Sequence, residues 1–163
     1  MDIRPVCAAD ADALWEIFRE VAAGGDTYVF DADKTREFAD AYWFGPGVSA
    51  WVAVEDGRVL GVYKIVANQR DRGAHVANAS YMVGATARGR GLGAALGRHS
   101  LEQARALGYA AMQFNFVVST NTAAVTLWQR LGFAIVGTLP GAYRHEQLGF
   151  VDAYVMYRSL GDA

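Results

Sequence analysis

The sequence predicts an α+β, or mixed α/β three-layer, fold with a mostly antiparallel central sheet. Three observations carry that expectation. Apolar segments with strand character, Ser49 to Val54, Val59 to Val66 and His75 to Val83, follow one another with only short polar links, which makes them an antiparallel meander. A helical stretch then separates Val83 from the next apolar segment, Tyr109 to Val118, so that crossover joins a parallel pair. Helical patterns flank the strand segments on both sides in sequence without a regular βαβ repeat.

The elements follow in order. Asp10 caps a helix that runs to about Ala23, with Leu14, Phe18 and Val21 on one face and Gly24-Gly25 as its stop. Asp33 caps a second helix to about Tyr42, ended by Gly45-Pro46-Gly47. Glu55-Asp56-Gly57-Arg58 is a hairpin turn between the first two strands, and Asn68 to Gly73 is a polar loop. After the crossover helix, which reaches Leu107, come the strand Tyr109 to Val118 and a helix from Asn121 to Leu131. Strands Phe133 to Gly137 and Val151 to Arg158 close the chain, with Leu139 to Phe150 a loop between them. No repeat or linker interrupts the pattern, so residues 1–163 are expected to form a single domain.

Charge and composition narrow the function. Fifteen Lys and Arg stand against 17 Asp and Glu, for a formal net charge of -2, which gives no general attraction for nucleic acid or an anionic membrane. Cys7 is the only cysteine, no Cys/His set has zinc spacing, and no metal site is expected. The start of the chain lacks a signal-peptide pattern and no apolar run would span a bilayer, so the expected location is cytoplasmic.

The informative segment runs from Tyr81 to Leu96. Gly89, Gly91 and Gly93 alternate beside Arg88 and Arg90, and a helix follows with Ala94, Gly97, Leu101, Ala104 and Leu107 on one face. Glycines let backbone N–H groups approach an anion, a helix start supplies unpaired donors, and arginines add charge-assisted contacts. The chemistry is that of a phosphate cradle. It does not match the dinucleotide fingerprint, and where a P-loop needs Lys and Ser/Thr it has Arg90 and Gly91.

Arg88-x-x-Gly91-x-Gly93 resembles the R/Q-x-x-G-x-G/A signature of the GCN5-related N-acetyltransferase (GNAT) superfamily. Asn121 to Phe133 resembles the N-x-x-A-x-x-x-Y/W-x-x-x-G-F segment of the same superfamily. The resemblance implies the GNAT fold, with a splayed parallel strand pair, and acetyl-CoA as cofactor. It assigns coenzyme contacts to Met82, Val83, Arg88, Gly89, Arg90, Gly91, Leu92, Gly93, Ala94, Asn121, Ala124 and Trp128. It also makes the main-chain N–H of Val83 the donor to the oxyanion. His75 to Ser80 and Phe114 to Asn121, with the tail Gly137, Gly141, His145 and Val151-Asp152-Ala153, are similar to the yeast subfamily that acetylates azetidine-2-carboxylate. That likeness implies a catalytic, substrate-orienting Asn78 and a substrate carboxylate held at Asn115–Phe116.

The residues themselves point the same way. Asn is disfavoured inside an apolar strand, and Asn78 and Asn115 lie within two neighbouring ones, where their amides make a polar pocket floor. Tyr28 and Phe30, with Tyr143 and Phe150, are further candidates to line the substrate pocket. The proton route stays open. The strand that carries a Glu in many relatives has none here, which leaves His75, His145, Glu146, Asp152 or a water chain. Trp128 stands where many relatives have an acidic Tyr, and its indole N–H donates without acting as an acid. The expected activity is direct acetyl transfer in a ternary complex to a small-molecule amine, an amino acid or proline-like analogue. Phosphinothricin or methionine sulfone as acceptor, and a non-catalytic acyl-CoA-binding module, remain as alternatives. Analogy with relatives also suggests a homodimer.

Overall fold

The computed structural model describes residues 1–161. One seven-stranded sheet organises them in the order β1-β2-β3-β4-β5-β7-β6. The strands are β1 (Asp2–Pro5), β2 (Ser49–Glu55), β3 (Arg58–Ala67), β4 (Val76–Val83), β5 (Ala111–Val118), β6 (Ala134–His145) and β7 (Gly149–Ser159). The helices are α1 (Ala11–Gly24), α2 (Arg36–Phe44), α3 (Leu92–Ala106) and α4 (Thr122–Arg130). All neighbouring pairs are antiparallel except β4–β5, which the α3 crossover makes parallel.

Three layers follow from the burial. Leu14, Phe18 and Val21 of α1 and Trp43 of α2 pack on one face, against Val52, Val62 and Met82. Leu96, Leu101 and Ala104 of α3 and Trp128 of α4 pack on the other, against Tyr63, Ala79, Phe114 and Met156. Gly61 lets α3 come close to the sheet. A Cβ there would lie 3.1 Å from Leu92 Cδ2 and 3.2 Å from Leu96 Cδ1.

Several expectations need correction. Strand β1 was not foreseen; it pairs with β2 from Asp2↔Val54 to Pro5↔Trp51. Asp10 does not cap α1 through its side chain. Its carboxylate instead accepts from both arms of Arg4, at 2.8 and 2.7 Å, and from Cys7 N–H at 2.9 Å. Thr35, not Asp33, caps α2, accepting from Phe38 N–H at 3.2 Å. The expected loop from Leu139 to Phe150 is mostly the extended β6–β7 hairpin, whose pairing continues to His145↔Gly149. A bulge between Leu139 and Tyr143 absorbs Pro140, Gly141 and Ala142 opposite Asp152, whose carboxylate accepts from Gly141 N–H at 2.9 Å. Leu107 falls beyond α3 and is exposed, while Leu92, Leu96 and Ser100 supply the buried face.

Candidate active site

Strands β4 and β5 pair only at Val76↔Ala111 and Ala77↔Met112, and then diverge. The gap opens a cleft of about 480 Å³. Its walls come from β4 (Asn78 to Val83), β5 (Phe114 to Val118), the segment from Asp26 to Val29 after α1, and Asn121, Ala124 and Trp128 of α4. Arg88, directly before Gly89 in the glycine turn, lines the cleft as well.

The β4 edge facing the gap carries main-chain donors. Gly84 N–H donates to Leu60 at 2.9 Å and Asn68 N–H to Val76 at 2.8 Å. In an antiparallel ladder those bonds give the even-numbered residues of β4 to β3. Ala79, Tyr81 and Val83 therefore turn their N–H groups toward β5, where no strand remains to pair with the last two. Tyr28 partly fills this place. Its hydroxyl accepts from Tyr81 N–H at 2.9 Å and donates to the Tyr81 carbonyl at 2.7 Å. Burial holds the Tyr28 phenol well above its usual pKa, so it stays neutral. Tyr143 fixes the segment from outside, its hydroxyl lying 2.7 Å from the Gly25 carbonyl and 3.2 Å from that of Tyr28.

On the β5 side a bulge sets Asn115 and Phe116 opposite the single residue Val155, between Phe114↔Met156 and Val117↔Tyr154. Asn78 and Asn115 do converge, as the sequence suggests, but through a third amide. Asn68, just past β3, accepts from Asn78 Nδ2 at 3.1 Å and from Asn115 Nδ2 at 2.7 Å. Gln113 Nε2 donates to Asn115 Oδ1 at 2.9 Å. Sequence reasoning left Asn68 in a polar loop. It also missed Asp26, the only carboxylate lining the cleft among the described residues.

The glycine turn leaves β4 through Gly84. Glu20 of α1 accepts from Ala85 N–H at 2.9 Å and so anchors the turn's start. Gly89 and Gly91 take positive φ, +75° and +77°, a region costly for other residues. Gly91 is the N-cap of α3, and its carbonyl takes the first helical bond from Ala95 at 3.1 Å. The N–H groups of Leu92, Gly93 and Ala94 thus form the unpaired first turn. The Leu92 side chain is buried in the core, so only its main chain is available. Arg90 is turned away, its guanidinium 2.5 Å from Glu55, whose carboxyl it holds below the usual range. That ion pair opposes the expected contact between Arg90 and the coenzyme.

The remaining candidates separate clearly. Asn121 accepts from Ala124 N–H at 3.2 Å and caps α4, so its side chain serves the helix. Trp128 packs between Tyr81 and Phe114, each ring centroid 4.7 Å away. Tyr81 points its hydroxyl to Ser100 at 2.7 Å, inside the core. Phe30 does not line the cleft. It stacks on Phe18 and Tyr28 and meets Phe38 and Tyr42 edge-on, facing a second cavity shared with Tyr143. Phe150 is 76% exposed and lines neither. His145 Nδ1 accepts from the Gln147 and Leu148 N–H groups, so that nitrogen serves the hairpin turn.

Comparison with known proteins agrees with this architecture. Residues 12–133 match the acetyltransferase (GNAT) family model. N-acetyltransferase aca1 of Schizosaccharomyces pombe is 31% identical over 161 residues, covering 85% of this chain and 76% of that protein. The L-amino acid N-acetyltransferase AaaT of Escherichia coli is 33% identical, with 69% of each chain covered. The N-acetylaspartate synthetase of Danio rerio is 35% identical over 73% of this chain, which spans 44% of that longer protein. Among solved structures, a GCN5-related N-acetyltransferase from Kribbella flavida superposes with a TM-score of 0.92 at 45% identity, covering 97% of this chain and 96% of that one. The phosphinothricin acetyltransferase of Sinorhizobium meliloti, solved with acetyl-CoA, shares the fold with a TM-score of 0.87 at 24% identity, over 98% of this chain and 88% of that one. With the splayed β4–β5 pair and the glycine turn beside it, these matches place the chain in the acetyltransferase (GNAT) family, as an N-acetyltransferase.

Proposed function

We propose that this enzyme transfers the acetyl group of acetyl-CoA directly to the amine of a small amino acid or proline-like analogue. The observation that carries the reading is the gap between β4 and β5, which sets a main-chain donor edge, an amide cluster and the glycine turn around one cleft. In this reading the N–H groups from Gly89 to Ala94, with Arg88, hold the coenzyme diphosphate at the start of α3. Trp128 and Ala124 flank the pantetheine arm. Asn78 orients the acceptor amine, and the main chain at the Asn115–Phe116 bulge takes the acceptor carboxylate.

The chemistry then balances within the cleft. The acceptor ammonium loses a proton, for which Asp26 is the one carboxylate lining the cleft among the described residues. The amine lone pair attacks the thioester carbonyl, and Val83 N–H donates to the oxygen as negative charge develops. Tyr28 already occupies the Tyr81 N–H, which leaves that of Val83 as the free donor on this edge. Collapse breaks the C–S bond and releases the coenzyme thiolate, and the amide nitrogen's extra proton goes to solvent. Confinement of both reactants removes much of the entropic barrier.

The amino-acid class rests on the amide cluster and on relatives named for amino-acid acetylation. Thiol release from acetyl-CoA tests it, with azetidine-2-carboxylate, proline, aspartate, methionine sulfone and phosphinothricin as acceptors. Turnover that falls at least tenfold in Asn78→Ala and in Asp26→Asn, with coenzyme affinity unchanged, is expected. Release that no amine in the panel stimulates overturns the acceptor class. We also place the enzyme in the cytoplasm as a homodimer, without nucleic-acid or membrane partners. The edge strand β6 supports the dimer, since Val136 and, in the adjoining hairpin, Leu148 each lie 61% exposed. A monomeric sedimentation coefficient at micromolar protein would refute it.

A further inference from the structure

We propose that Asn68 is the positioning residue of the acceptor site, because its side-chain oxygen takes one amide N–H from Asn78 and one from Asn115. The inference deepens the reading above and rests on it. A carbonyl oxygen has two lone pairs, and here both are spoken for, at 3.1 and 2.7 Å. An amide that donates from Nδ2 in one direction must present Oδ1 in the other. Asn68 thereby decides which atom of Asn78 faces the cleft: the acceptor oxygen, suited to an N–H of the substrate amine.

Asn115 is spent differently. Its Nδ2 goes to Asn68 and its Oδ1 takes the Gln113 amide at 2.9 Å. Its side chain therefore holds the floor together, and the carboxylate is left to the main chain at the bulge. The three asparagines divide the work, with Asn78 touching substrate and Asn68 and Asn115 fixing its direction. Without Asn68, the Asn78 amide is free to rotate and to offer N–H groups to an ammonium, which repels it.

Asn68 suits the task by its place in the backbone. Its own N–H bonds to the Val76 carbonyl at 2.8 Å, continuing the β3–β4 ladder beyond the end of β3. A change of side chain leaves that bond intact, so variants are expected to fold.

The test has two arms. In the first, side-chain amide signals of Asn78 and Asn115 are followed by ¹H–¹⁵N NMR of the full chain without ligand, each assigned by its loss in the Asp variant. In Asn68→Ala both signals should shift, and that of the half-buried Asn78 should also exchange faster; Asn115 is already exposed, so its shift alone is read. In Asn68→Asp, which keeps two acceptor lone pairs, both should stay close to their parent positions. If either amide is unmoved in Asn68→Ala, the proposal is wrong. In the second arm, Asn68→Ala should raise the amine KM about tenfold, the equivalent of about 1.4 kcal/mol. The coenzyme Kd should stay unchanged, and Asn68→Asp should restore most of the loss. An equal fall in coenzyme affinity, or no rescue, overturns it. A parent enzyme that acetylates no amine in the panel sinks the acceptor reading instead, and the NMR arm still decides the role of Asn68.

Discussion

Gly91→Ala separates what the glycine turn does for the fold from the coenzyme contact proposed for it. Gly91 has φ +77°, and a Cβ built there meets nothing within 4 Å. The substitution therefore carries a conformational cost without a clash, about 1–2 kcal/mol for an L-residue in the left-handed region. For a chain of this size that lowers Tm by about 2–8 °C. The same arithmetic applies to Gly57, in the β2–β3 turn, with φ +75° and nothing within 4 Å of its Cβ. Gly57→Ala is thus a matched control for strain. What distinguishes Gly91 is its place as the N-cap of α3, directly before the free N–H groups of Leu92 to Ala94 that the proposed diphosphate site uses. Loss of one charge-assisted contact to a diphosphate costs about 1.5–3 kcal/mol, or about 10- to 150-fold in Kd. Scanning fluorimetry should show similar falls in Tm for both variants. Calorimetric titration with coenzyme A should show weakened binding in Gly91→Ala alone. If Gly91→Ala binds the coenzyme as tightly as Gly57→Ala, the turn is not the diphosphate site.

Two further outcomes follow from the surroundings of the site. Gly61→Val drives side-chain atoms into Leu92 and Leu96 and toward the Met82 carbonyl, 3.1 Å from the built Cβ, an overpacking worth about 1–3 kcal/mol; Tm and coenzyme affinity should fall together as α3 is lifted, and an unchanged affinity would detach the helix start from the site. Asp10 is held at about 2, below its ordinary 3.8, chiefly by the Arg4 hydrogen bonds and further by Cys7 N–H, against the opposing effect of burial. Because the unfolded chain binds that proton first, the stabilisation is complete above about pH 4 and is lost as pH falls toward 2; the acid limb of a Tm-against-pH curve should flatten in Asp10→Asn, and an unaltered limb would show that the Arg4 pair contributes nothing.

The sequence made the centre of the sheet legible and its margins obscure, for physical reasons. Strands β2 to β5 are buried on one or both faces, so their apolar runs are long and their turns conspicuous. Strand β6 is an edge, exposed at nearly every position, and carries Pro140, Gly141 and Ala142 within a bulge. Hydrophobic patterning has nothing to report where neither face is covered, and an edge tolerates Pro that a central strand would reject. Strand β1 is four residues long, too short to show a period. The cap of α2 was misread because Asp33 and Thr35 both have the right chemistry, and only the backbone angle at Thr35 chooses between them. In the site, the glycine turn and the two strand asparagines stood out because each breaks a local rule. Asn68 and Asp26 broke none: polar residues in loops are ordinary, and only the spatial meeting of loop with strand brings Asp26 to the cleft and Asn68 to two amides that line it.

A gap between two central strands should be costly, since every unpaired buried main-chain group forfeits about 1–3 kcal/mol. This chain lowers that cost with its own side chains. The Tyr28 hydroxyl answers both main-chain groups of Tyr81, and Asn68 answers two strand amides at the gap's closed end. The splay is therefore stable before any ligand arrives, and a ligand gains only where it meets groups left unanswered. Those are the Val83 N–H, the Asn78 oxygen and the main chain of the Asn115–Phe116 bulge. A molecule that satisfies all three at once presents an acceptor oxygen at β4, a donor N–H at Asn78 and an anion at β5. On the function proposed above, a thioester carbonyl beside an amine that also bears a carboxylate is that combination. An acceptor lacking the carboxylate would leave the bulge unpaired, so simple alkylamines should be turned over poorly compared with amino acids of the same size.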